Sequence, residues 1–170
     1  MAYSDEEKSQ HSVGGLIAAA GGFGVSQITG PIFLFPLGIG LLALFLLHKF
    51  RSSTSHENQL AASLIGQLGW FSIGALLMPA QAMDVLPDIA IGLALLAWLI
   101  IAAHWIPAAL IIIVQLFGLI INIGVLSQIG FEHQISGAMI THVILRAIII
   151  LAAARFLYVR FSAPQGATLE

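Results

Sequence analysis

Residues 135–161, ISGAMITHVILRAIIILAAARFLYVRF, form an apolar run of membrane-spanning length that carries His142 and Arg146 one helical turn apart. An arginine at hydrocarbon depth costs at least about 2.5 kcal/mol on insertion scales, so Arg146 must face protein or water. This pairing of an apolar helix with a permanent cation dictates a bundle whose interior is partly polar.

The rest of the chain agrees with a membrane setting. Its 170 residues are 59% hydrophobic and 8% charged, and its mean hydropathy is +1.00. So few charges cannot cover a water-soluble fold, which ordinarily carries about 25% charged residues. No polar stretch is long enough for a second domain, so one compact membrane unit over residues 1–170 is expected. The absence of cysteine removes disulfides, thiolate metal sites and dithiol redox chemistry. No basic block is present for nucleic acid. The opening residues, MAYSDEEKSQHS, are acidic where a secretory signal carries a basic segment, so the first apolar stretch is expected to stay in the mature protein.

An all-α, polytopic transmembrane bundle follows, with expected spans at residues 12–29, 31–49, 59–79, 88–103, 108–126 and 135–158. The first is rich in Gly and Ala and suits close helix packing, or a half-buried surface helix. Pro36 is expected to kink the second span. Residues 50–58, FRSSTSHEN, read as an aqueous loop, residues 80–87 as a short acidic turn with Asp88 near N1 of the following helix, and His104-Trp105-Ile106-Pro107 as a tight break. With six spans, Lys8, Lys49, Arg51, Arg155 and Arg160 share one side with both termini. The positive-inside rule makes that side cytoplasmic and the protein an inner-membrane one. A five-span arrangement strands Lys8 on the opposite side.

Two short motifs carry a resemblance. Phe35-Pro36-Leu37-Gly38, and the later Ala102-Ala103-His104-Trp105-Ile106-Pro107, resemble the Phe-Pro-Leu-Gly run and the Gly-Ala-His-aromatic-Leu-Pro turn of an uncharacterised family of small bacterial integral membrane proteins. In the second motif, Ala stands for Gly and Ile for Leu. The resemblance covers residues 30–125 and implies six helices with no assigned activity.

Depth along each helix groups the polar residues, because an α-helix rises about 1.5 Å per residue. Arg146 lies about 13 Å above Arg155, at the level of Gln67 and Gln115. His142, Asp88 and Asn122 fall about 20 to 23 Å above the same face. A two-layer ladder is therefore expected. Arg146 would be held by the side-chain carbonyls of Gln67 and Gln115, and His142 would pair above it with Asp88, whose carboxylate could also reach toward Arg146. Against this stands the plainer role of such residues as interhelical hydrogen-bond glue, with Arg146 in a structural ion pair.

Other chemistries find little support. His104 and His142 are too far apart in depth to serve one haem; His48 with His104 remains geometrically open. There is no His pair at metal-binding spacing, no nucleophile elbow, no phosphate-binding loop and no dinucleotide fingerprint. No cofactor or metal is expected, and the reading leans away from an enzyme. Two functions remain: a small protein that binds or transports a polar or anionic solute through Arg146, His142, Gln67, Gln115, Asp88 and Asn122, or a structural subunit packed against partner membrane proteins. Six short helices are few for a monomeric carrier, so a homo-oligomer or larger membrane complex within the lipid bilayer is the expected setting.

Overall fold

The computed structural model of the protein describes residues 34–79, 82–102, 104–129 and 136–162. Among these residues every regular element is an α-helix, and there are five: α1 (Leu34–Phe50), α2 (Ser55–Leu77), α3 (Ala82–Ala102), α4 (Trp105–Ile129) and α5 (Ser136–Ser162). Helices α2 to α5 are each long and apolar enough to cross a membrane, whereas the 17 residues of α1 fall just short of that length. In hydrocarbon each backbone N–H and C=O must be satisfied within the chain, which makes helices the natural form for these apolar runs.

The expected span over 12–29 lies outside the described residues, so the described residues give five helices and do not support six spans. The remaining boundaries move in instructive ways. Helix α2 begins at Ser55, inside the stretch read as a loop, because Thr54 caps it: its backbone is extended and its Oγ1 accepts from the Glu57 backbone N–H at 3.3 Å. Helix α3 begins at Ala82, so the expected acidic turn is mostly helix, with Pro87 inside it. Asp88 is therefore the seventh residue of α3 rather than near N1. Pro36 is the third residue of α1, and residues 31–33 ahead of the helix lie outside the described residues. At the tight break, the ring Nδ1 of His104 accepts from Ile106 N–H at 3.2 Å, capping α4 almost as soon as α3 ends.

Helix α2 is the hub. It packs against α1, α3 and α5, while α4 packs against α5 and, less extensively, α3. Its approach to α1 is backbone on backbone: a Cβ on Gly66 would lie 2.8 Å from the Pro36 carbonyl oxygen and 3.4 Å from the Gly40 Cα. Membrane helices gain little from hydrophobic burial against one another, so this closeness lets dispersion do the binding. Leu60, Leu64, Leu99, Ile111, Ile149 and Phe156 form the core of the half nearer Arg51. Toward the other end, Trp70, Phe71 and Leu145 form a smaller aromatic cluster. The intervening level of the bundle is polar.

The end of the bundle near Arg51 is not the open loop that residues 50–58 suggested. Glu57 and Asn58 are buried. Arg51 Nη2 forms an ion pair with Glu57 and also donates to the Ile100 carbonyl at 2.9 Å, satisfying an otherwise orphaned acceptor at the C-terminus of α3. Ser53 Oγ donates to Asn58 Oδ1 at 2.6 Å. Arg51 thus stitches the α1–α2 connection to α3.

Candidate functional site

Helices α2 to α5 converge on one guanidinium. Arg146, on α5, is 3% exposed. Its Nη2 donates to Asp88 Oδ2 on α3 at 2.5 Å, and its Nη1 donates to Gln115 Oε1 on α4 at 3.1 Å. Gln115 and Gln67 form a reciprocal amide pair. Gln67 Nε2 donates to Gln115 Oε1 at 3.1 Å, and Gln115 Nε2 donates to Gln67 Oε1 at 2.7 Å. Gln115 Oε1 therefore accepts twice, once from each neighbour, which uses both its lone pairs.

The guanidinium also has close neighbours beyond its hydrogen-bond partners. A Cβ built on Gly118 would sit 2.2 Å from Arg146 Cζ, so the group lies directly on the backbone of α4. Arg146 Cζ is also 5.7 Å from the Phe71 ring centroid, within cation–π range. Two donors in this region lack an acceptor: Arg146 Nε and Asn122 Nδ2, both buried. Asn122 lies four residues beyond Gly118, on the same face of α4. The Asp88 side chain, 34% exposed, is the open edge of the cluster.

The expected ladder is rearranged. Gln67, Gln115 and Arg146 do meet, but Gln67 reaches Arg146 only through Gln115. Asp88 pairs with Arg146 rather than with His142. The lean of helical side chains toward their own N-terminus accounts for this, because it carries the long Arg146 side chain up α5 toward Asp88. His142 instead packs edge-on against Phe71 and Trp70, with ring centroids 4.9 and 6.2 Å away. Asn122 is buried on the α4 face that bears Gln115 and Gly118.

Gly118 and Phe71 are parts of the site that residue-type reasoning passed over. Their signal is positional: Gly118 shares the Gln115–Asn122 face, and Phe71 lies one turn beyond Gln67. His48 Nδ1 hydrogen-bonds to the Leu44 carbonyl at 3.0 Å, and His104 caps α4, so each ring has a local backbone partner.

No family model, curated protein sequence or solved structure matches the chain. The functional reading therefore rests on the geometry alone.

Proposed function

We propose that the protein is a small polytopic inner-membrane protein that binds a small polar solute at the Arg146 centre, as a carrier or solute receptor. One observation carries this reading: Arg146 Nε and Asn122 Nδ2 are buried donors without acceptors, beside a carboxylate that is one-third exposed. Each leftover buried donor costs about 1 to 3 kcal/mol. A solute acceptor entering beside Asp88 would satisfy them. Lys49, Arg51, Arg155 and Arg160 put their common end of the bundle at the cytoplasm in this reading, with a homo-oligomer as the working form.

A structural or accessory membrane subunit is the second reading. It is favoured by the charge balance, since Asp88 already neutralises Arg146, and by the burial of the guanidinium against Gly118, with Phe71 in cation–π range.

The two separate in thermal melting of detergent-purified protein against small polar solutes and lipids, comparing wild type with Arg146→Leu. Stabilisation of wild type by a solute, absent from a folded variant, supports solute binding. A variant of equal or greater stability, with no solute response in either protein, supports the packing subunit.

A further inference from the structure

We infer that the solute bound at this centre is a zwitterion, carrying a carboxylate and an ammonium group on a short carbon skeleton; the inference rests on the solute-binding reading above. The argument is one of charge and of donor type. Arg146 and Asp88 already form a neutral pair joined through Nη2 and Oδ2. Adding a lone anion would leave the cluster with a net negative charge in a low-dielectric interior, and adding a lone cation would leave it positive. Either state carries the desolvation penalty that makes unpaired charges rare at this depth. A zwitterion adds no net charge.

The unsatisfied groups sort in the same way. Both orphaned atoms, Arg146 Nε and Asn122 Nδ2, are donors, and each belongs to a residue that is more than nine-tenths buried. They call for an acceptor of high charge density, which a carboxylate supplies. The exposed edge of the cluster is of the opposite kind. Asp88 is an acceptor-only side chain when ionised, and its one hydrogen bond among the described residues runs through Oδ2 to Arg146. An ammonium group has donors to give that edge and no acceptor to compete for Arg146. The solute's carboxylate thus points inward to α4 and α5, and its ammonium rests at Asp88 on α3. Its carbon skeleton must be short, because Asp88 is held on Nη2 of the same guanidinium whose Nε the carboxylate takes, and Gly118 backs that group.

The test is titration calorimetry and thermal melting of the full chain in detergent with six probes: glycine, β-alanine, acetate, methylammonium, acetamide and glycerol. Glycine or β-alanine should stabilise wild type and bind at least about tenfold more tightly than acetate or methylammonium. Asp88→Asn retains a group able to accept from Arg146 and should fold, yet lose most of the zwitterion response. Asn122→Leu, which removes one donor, should weaken it as well. Acetate, acetamide or glycerol binding as tightly as the zwitterions would overturn the zwitterion assignment and leave the polar-solute reading standing. Should no probe shift a folded wild type, both fall.

Discussion

Gly118 is the floor on which the Arg146 guanidinium rests, since any Cβ there would lie 2.2 Å from Cζ and 2.2 Å from Nη1. The far end of an arginine can usually swing aside. Here it cannot do so without abandoning Asp88 and Gln115, which hold its two terminal nitrogens. Gly118→Ala should therefore destabilise the bundle by about 1 to 3 kcal/mol, the usual range for overpacking. Gly124, on the same helix, has nothing within 4 Å of its would-be Cβ. Alanine there should be neutral or gain up to about 1 kcal/mol from helix propensity. Melting temperatures of the two variants under one detergent condition decide the matter, and equal shifts would mean that Arg146 is not seated on α4.

The Asp88–Arg146 pair should behave as a coupled unit. Asp88→Ala strands a buried cation, which costs about 3 kcal/mol, the lower end for broken buried pairs because Asp88 is one-third exposed. Removing both charges, in Asp88→Leu with Arg146→Leu, eliminates the stranded charge and should recover much of the loss. A double-mutant cycle on thermal stability measures the coupling. Strictly additive effects would show that the two side chains do not interact in the membrane.

Within the amide pair the two glutamines are unequal. Gln115 Oε1 accepts from both Gln67 and Arg146, whereas Gln67 touches Arg146 only through Gln115. Gln67→Leu removes both bonds of the amide pair and should cost about 1 kcal/mol, at about 0.6 kcal/mol for each ordinary interhelical hydrogen bond. Gln115→Leu should cost about 1 to 3 kcal/mol, because it also removes an acceptor from a charged donor. A reversed order in melting temperature would contradict this wiring.

The sequence made the depth of Arg146, Gln67 and Gln115 legible because a constant helical rise converts residue number into height. It made the Arg146–Gln115 hydrogen bond legible as well, but not that Gln67 reaches Arg146 only through Gln115 or that His142 turns to Phe71 and Trp70. Side-chain reach is the missing quantity: the backbone height of Asp88 above the Ala102 end of α3 stays near the expected value, and it is the length and lean of the Arg146 side chain that bring the two together. Similarly, FRSSTSHEN looked like solvent-exposed chain because polarity was read without pairing. Thr54 and Glu57 in fact begin a helix, and Arg51 lets Glu57 be buried. Gly118 carries no chemical group to notice, and only the face it shares with Gln115 and Asn122 reveals it. Composition and spacing therefore locate the polar level of the bundle, and capping and side-chain reach decide who meets whom within it.

Gly66 supplies the last prediction, which concerns how α1 is attached. Its would-be Cβ meets the Pro36 carbonyl oxygen at 2.8 Å, a backbone atom that can move only if α1 moves. At Gly69, three residues later, the obstacle is Ile39 Cδ1 at 2.7 Å, the free end of a side chain with other rotamers open to it. Gly66→Ala should thus push α1 off α2 and cost about 1 to 3 kcal/mol, whereas Gly69→Ala should be absorbed at less than about half that. The chain has no native cysteine, so a single introduced pair at Gly40 and Ala62 reports the helix separation without background. Gly66→Ala should slow disulfide formation between them, and Gly69→Ala should leave it near the parent rate. Equal rates in all three proteins would mean that the α1–α2 contact does not depend on the glycine at position 66. In that case the attachment of α1 would have to come from elsewhere in the bundle.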